Sequence, residues 1–276
     1  MGVTTLELDT AVTCDGIVVV AHDRRLNPDI TRGPDGRWIE APAPAVHDLS
    51  FRELERYDVG RINPASAYAA RFPAQRGRDG VRMPTLASVF ELARSAGGVR
   101  FNIETKISPL APRETPSPRV FVDSLLKLVR DAGVDDRVSI QSFDWRTLLI
   151  VQHTDPRIAT SYLTADEYVR EGRDSPWTAG FQLREHGSLP RMVRAAAGAA
   201  DAAWSPDYRG LIRPMVSEAL SLGLKVLPWT VNDAQDMERM LDWGVSGFIT
   251  DYPDRAREVL RKREIPLPAP TPVMER

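Results

Sequence analysis

Two acids stand two residues apart in Thr5-Leu6-Glu7-Leu8-Asp9. Side chains alternate across a strand, so an extended backbone puts Glu7 and Asp9 on one face and Leu6 and Leu8 on the other. Two carboxylates about 4 Å apart repel by roughly 4 kcal/mol at an effective dielectric near 20. Such a pair asks for a proton, a basic side chain or a metal ion, unless it is simply the solvated edge of an ordinary strand. Phe101-Asn102-Ile103-Glu104-Thr105-Lys106 repeats the pattern, with Phe101 and Ile103 on one face and Asn102, Glu104 and Lys106 on the other. Three carboxylates gathered at one end of a sheet suit a hard, oxygen-loving divalent cation, Mg²⁺ or Ca²⁺. No Cys-rich or closely spaced His cluster offers a softer site. Lys106 reads either as an ion-pair partner of Glu104 or as a contact to a phosphate.

Asp15-Gly16 is a strong two-residue hairpin signal between Ala11–Thr13 and Ile17–Ala21. A two-residue loop makes opposing residue numbers sum to about 31, which sets His22 opposite Asp9. A lone histidine is more often structural than catalytic, but this hairpin carries His22 back to the acidic end and favours an acid–base role. Asp23 can orient the ring or the loop after it. His47, His153 and His186 read as surface residues, with His47 a weak candidate for a lid contact. Trp229, in Val226-Leu227-Pro228-Trp229-Thr230, and Phe143, after Gln141-Ser142, each follow a strand-like run. Both can form an apolar wall for a substrate or pack in the core.

These side chains need elements to hold them. Strand-like runs at 3–9, 99–106, 138–142, 158–163, 202–205, 225–230 and 247–251 alternate with helical spacing at Leu86/Val89/Phe90/Ala93, Phe121/Leu125/Leu128/Val129, Leu148/Val151, Met215/Ala219/Leu222 and Met237/Met240/Leu241. Gly97, Gly133, Gly223 and Gly244 stand where helices should stop. The alternation predicts α/β architecture with a parallel sheet. The 276 residues suit a TIM-type (β/α)8 barrel as one domain over 1–263. Seven strands leave that barrel one β/α unit short, and the gap falls before Val3, so an upstream segment of about 30–40 residues is expected. Residues 23–83, rich in Arg, Pro and Gly, read as an insertion after the hairpin that covers the mouth of the barrel; Ser50 and Glu53 mark one helix there by a capping box. The tail, 264–276, carries Pro266, Pro268, Pro270 and Pro272 and reads as extended.

A formal net charge of -2 gives no electrostatic footprint for nucleic acid. A single cysteine, Cys14, excludes an intrachain disulfide. No run approaches the roughly 18 apolar residues of a membrane span, and no signal peptide precedes Val3. The chain as it stands reads as cytoplasmic, and as periplasmic or secreted if an upstream segment carries a signal. A small-molecule substrate is expected, with no protein partner.

Taken in order, ELD (7–9), the DG turn, VVVAHD (18–23), PTL (84–86), NIETK (102–106), QSFD (141–144), PWTVND (228–233) and GFITDYP (247–253) resemble the glycerophosphodiester phosphodiesterases over nearly the whole chain. NPDITRGPDGRW and YDVGR look like one bacterial branch. The resemblance implies a β/α barrel that hydrolyses glycerophosphodiesters to sn-glycerol 3-phosphate and an alcohol. It implies Glu7, Asp9 and Glu104 as metal ligands, His22 as one of two catalytic histidines, Lys106 as a phosphate contact and Trp229 as a pocket residue. The family's opening His-Arg-Gly strand and Glu-Asn-Thr helix do not occur in this sequence, and the second catalytic histidine belongs to that piece. Two rival readings follow: a catalytically impaired barrel that binds metal and diester without turnover, and a related phospholipase acting on lipid headgroups.

Overall fold

The structure, a computed structural model, describes residues 1–94, 98–169 and 174–270. Gly97 and Pro272, given roles above, lie outside the described residues. Among those described, seven strands form one sheet in the order β2-β1-β3-β4-β5-β6-β7. They are β1 (Thr5–Val12), β2 (Val18–Val20), β3 (Arg100–Thr105), β4 (Val138–Ser142), β5 (Ala159–Thr164), β6 (Ala202–Pro206) and β7 (Lys225–Val226). The described chain forms two compact units. One holds 1–7, 93–104 and 133–276, and the other holds 8–92 and 105–132.

In the first unit β3 to β7 run parallel, in the register Ile103↔Ile140, Ile140↔Thr160, Tyr162↔Trp204 and Trp204↔Val226. Parallel strands are covered on both faces, and these residues are correspondingly buried, with Ile103, Ile140, Tyr162, Trp204 and Val226 fully enclosed. Leu148, Val151, Ala219, Met237 and Met240 are buried on their helices (145–154, 213–221 and 234–242) as expected, joined by Trp145 and Val216, whereas Met215 and Leu222 are only half-buried. Gly223 and Gly244 adopt φ of 75° and 80°, the left-handed geometry that ends a helix cheaply only at glycine.

Of the expected strands, one is shorter than the sequence suggests and one is not a regular strand. The run 225–230 is a strand only to Val226, because Pro228 has no N–H to give the ladder. Leu227 and Trp229 still donate to Trp204 O and Pro206 O. Gly247–Asp251 is not a strand, yet it lies beside that segment: Ser246 N donates to Val226 O, Ile249 N to Pro228 O, and Val231 N to Ile249 O. Helices at 183–186, 189–197 and 253–262 were not anticipated; the described tail carries neither helix nor strand, and Pro268 O accepts from Arg257. No helix among the described residues is long and apolar enough to cross a membrane.

In the second unit β1 and β2 form the expected antiparallel hairpin, but its register differs by one residue from the one anticipated. The pairs are Thr10↔Val20, Ala11↔Val19 and Val12↔Val18, so opposing numbers sum to 30. Thr13 N donates to Ile17 O, which leaves a three-residue loop, Cys14-Asp15-Gly16, with Gly16 at φ 84°. The positive φ at the third loop position identifies the next commonest hairpin connection after the two-residue turn. Ala21, and not His22, therefore bonds to Asp9, through Ala21 N to Asp9 O.

Segment 23–83 contains the anticipated helix at Phe51–Leu54, where Ser50 Oγ accepts from Glu53 N and the Glu53 carboxylate accepts from Ser50 N. Leu26, Ala43, Val46 and Leu54 pack with Ala11 and Val19 of the hairpin into one apolar cluster. A polar node pins the outer part of the segment. Arg32 donates to Asp58 at 2.5 Å and also to Asp79, and its guanidinium lies 5.6 Å from the Trp38 ring centre. Burial raises the Asp58 pKa, but N–H groups of Gly80 and Gly60 and the Arg32 charge outweigh it and bring the carboxyl down to about 2.

A carboxyl depressed in the folded state stabilises it fully above the unfolded value, near 4, and stops doing so as pH falls through the folded value. Protection of segment 23–83 against proteolysis should therefore decline between about pH 4 and pH 2. Asp58→Asn should remove most of that pH dependence and lower protection at neutral pH. Equal pH dependence in wild type and variant would contradict this role of Asp58.

Candidate active site

The alternating acids of β1 and β3 do converge. Glu7, Asp9 and Glu104 each bring a carboxylate oxygen within 4.8 Å of the others. Glu7 and Asp9 are half-buried, and Glu104 is 5% exposed. At that separation each pair of charges repels by roughly 3–4 kcal/mol at an effective dielectric of 20. Lys106 Nζ lies 3.1 Å from Asp9 Oδ1, and both side chains are largely shielded from solvent. Lys106 thus pairs with Asp9, a partner not named in the sequence reading.

Glu7 is held by a chain of buried amides. The register Asn102↔Ser139 and Glu104↔Gln141 places these polar residues side by side on β3 and β4. Ser139 Oγ donates to Asn102 Oδ1 at 2.8 Å, Asn102 Nδ2 to Gln141 Oε1 at 2.6 Å, and Gln141 Nε2 to Glu7 Oε1 at 2.6 Å. Each acceptor on Asn102 and Gln141 is thereby fixed, and so is the direction of each NH₂ group. Sequence reasoning quoted Gln141 without giving it a role. Its signal was a glutamine at a strand position where a buried parallel sheet ordinarily carries an apolar residue.

His22 lies just past the end of β2, on an exposed turn. Its Nδ1 is 3.1 Å from Asp23 Oδ1, and Asn27 Nδ2 donates to Asp23 Oδ2 at 2.8 Å. The bond to Asp23 raises the His22 pKa above its ordinary value, against the opposing effects of burial and the Lys106 charge. The same bond lowers the pKa of Asp23, ahead of the contribution from Asn27. Arg24 and Arg25 both donate to Glu114, at 3.1 and 2.8 Å, which ties the turn to the loop that follows Lys106.

Phe143 follows β4 directly and is half-buried. It stands edge-on to Trp229, with centroids 5.5 Å apart, and 4.5 Å from the Tyr168 ring. Trp229 is also half-buried and donates through Nε1 to Ser205 O at 2.8 Å. Neither ring is enclosed in the core, so both keep apolar surface available. Tyr168 was missed by sequence reasoning, since it falls in a polar loop without periodicity. Of the remaining histidines, His47 Nδ1 is 3.0 Å from Val12 O, His153 is exposed on a helix, and His186 lies beside Phe181.

Three clustered carboxylates that could hold a metal ion, a lysine paired with one of them and a carboxylate-bound histidine are the kinds of group that metal-assisted hydrolysis uses. The model of the glycerophosphoryl diester phosphodiesterase family matches residues 1–255. The chain is 29% identical over 259 residues to the glycerophosphodiester phosphodiesterase of Bacillus subtilis, covering 92% of this chain and 75% of that protein. It is 29% identical over 263 residues to the enzyme of the same name from Caldanaerobacter subterraneus, covering 95% and 88%. A crystal structure from Silicibacter pomeroyi carrying the same family name superposes with a TM-score of 0.83 at 30% identity, over 95% of this chain and 85% of that one. The chain belongs to the glycerophosphoryl diester phosphodiesterase family and is a hydrolase.

Proposed function

We propose that this chain hydrolyses glycerophosphodiesters to sn-glycerol 3-phosphate and an alcohol, using one divalent cation, Mg²⁺ or Ca²⁺, bound by Glu7, Asp9 and Glu104. The observation that carries the reading is the three-carboxylate cluster with its 4.8 Å limit. The donor set fits such an ion: it is all oxygen, its three members lie within 4.8 Å of one another, and the Gln141 amide donates to one of them. When bound, the ion supplies Lewis-acid stabilisation of charge on the phosphoryl oxygens.

The other roles are filled by the chain's own side chains. Lys106 adds a positive contact for the phosphate. His22 carries one of the two proton transfers that diester cleavage requires, with Nε2 as the working nitrogen. Trp229 and Phe143 offer the apolar wall against which the organic part of the substrate rests. A TIM-type barrel is the fold proposed with this chemistry; the parallel order β3 to β7, continued in hydrogen bonding by 246–249, supports it. Segment 23–83, which begins right after His22 and packs on β1 and β2, is proposed to shape the alcohol side.

The test is release of sn-glycerol 3-phosphate from a panel of glycerophosphodiesters after removal and return of the metal. Turnover should vanish with chelation and return with Mg²⁺ or Ca²⁺; full turnover in excess chelator would overturn the metal-dependent reading. Gln141→Leu should weaken divalent binding by about 10–100-fold, because an outer partner of a ligating carboxylate is lost. Unchanged affinity in calorimetry would show that Glu7 does not depend on the amide.

A further inference from the structure

The His22 ring is 73% exposed at its side chain, so packing does not fix its orientation. What fixes it is a short polar chain. The Asp23 carboxylate is an acceptor, so the 3.1 Å contact requires the hydrogen on His22 Nδ1. Asp23 is itself 41% exposed and could rotate, but its second oxygen takes a 2.8 Å bond from Asn27 Nδ2. Asn27 is in turn oriented from behind, because its Oδ1 accepts from Asp29 N at 2.8 Å. That bond settles which end of the amide faces Asp23. The Asp29 carboxylate accepts from Ser66 Oγ at 2.5 Å, and Asp29 O accepts from Asn63 N, which anchors the chain in the body of the 23–83 segment.

We infer that Asn27 is a positioning residue that, through Asp23, holds His22 as the Nδ1–H tautomer with Nε2 turned outward as the proton-exchanging nitrogen. The inference rests on the reading of His22 as an acid–base group given above. A neutral imidazole offers one donor and one acceptor, and only the tautomer with Nδ1–H leaves the exposed nitrogen able to take a proton. Asn27 thus converts the fold of a surface segment into the protonation pattern of a catalytic ring. The three links from His22 to Asp29 are local hydrogen bonds, and the bonds from Ser66 and Asn63 tie them to a distant part of the segment.

Two isosteric variants test it in the full-length chain. Asn27→Asp replaces the NH₂ donor with a charged oxygen that repels the Asp23 carboxylate and keeps the acceptor for Asp29 N. Asp23→Asn replaces the acceptor facing Nδ1 with an amide that can donate to it. The readout is the long-range ¹⁵N–¹H spectrum of histidine-labelled protein at a pH where the ring is neutral, with His22 assigned by its loss in His22→Gln. Wild type should show Nδ1–H, Asp23→Asn the opposite tautomer, and Asn27→Asp a mixture of the two. Alongside, kcat on glycerophosphodiesters should fall about 10–100-fold in Asn27→Asp with KM nearly unchanged, as for loss of an outer partner of a working histidine. An unaltered Nδ1–H tautomer in both variants would overturn the inference. A shifted tautomer with unaltered kcat would uphold the positioning and instead remove His22 from the chemistry.

Discussion

Glu104→Gln is expected to cost the chain its divalent cation while leaving the metal-free protein as stable as before, or more so. Glu104 is the most buried of the three acids, so solvent screens it least. The amide keeps the size of the side chain and one carbonyl oxygen but loses the charge. In the metal-free state this removes two repulsions of roughly 3–4 kcal/mol each at an effective dielectric of 20, partly balanced by the loss of the carboxylate's own favourable contacts. With the ion, the same change removes a third of the anionic charge that holds it. Loss of an outer partner alone weakens metal sites about 10–100-fold, so loss of a ligating charge should exceed about 100-fold. The two effects have opposite sign, which separates them from simple unfolding. Melting in chelator should hold or rise, the Mg²⁺- or Ca²⁺-induced increase in Tm should disappear, and turnover should fall with it. A variant that melts early in chelator yet binds the ion normally would point to a structural role for Glu104.

His22→Ala should lower kcat by roughly 10²–10⁴-fold, the usual contribution of a positioned acid or base. The ring is largely exposed and its polar contact is to its own neighbour, so stability should change by no more than about 0.5 kcal/mol. Divalent affinity should be unchanged, because no carboxylate of the cluster is removed. Glu104→Gln and His22→Ala therefore differ in kind: one loses the ion and with it the activity, the other keeps the ion and loses only the proton transfer. Near-normal turnover of glycerophosphodiesters by His22→Ala would take the residue out of the mechanism.

The acids were legible because period-two alternation is a local property. Glu7, Asp9 and Glu104 needed only an extended backbone to share a face, and the sheet brings them together. The family motifs were legible in the same way, as ordered short strings. Hairpin register was harder, since Asp15-Gly16 suits either a two-residue turn or the end of a three-residue loop. The choice fell to contacts outside the hairpin, among them Cys14 N to Leu49 O and Phe51 N to the Asp15 carboxylate. Gln141 and Asn27 bond to partners fixed by strand register or loop closure, so a polar residue in a buried strand was the only hint of Gln141 and nothing announced Asn27.

The helix at 189–197 was obscured by its run of alanines, which blunts apolar periodicity. Its cap was nonetheless in view, with Ser188 accepting from Arg191 N, Pro190 in the first turn and Gly198 after the last. The loss of a regular strand at 247–251 has a different cause: its partner segment contains Pro228, and two irregular stretches exchange only scattered bonds.

Crystals of the full chain grown with Mn²⁺ in place of Mg²⁺ or Ca²⁺ test the metal centre most directly. The anomalous difference map should show a single strong peak with carboxylate oxygens of Glu7, Asp9 and Glu104 within about 2.0–2.6 Å, the range of hard-cation oxygen contacts. No peak among these three carboxylates, or a strong peak held by other residues while the triad keeps only its lysine, would contradict the assignment of the site and the chemistry built on it.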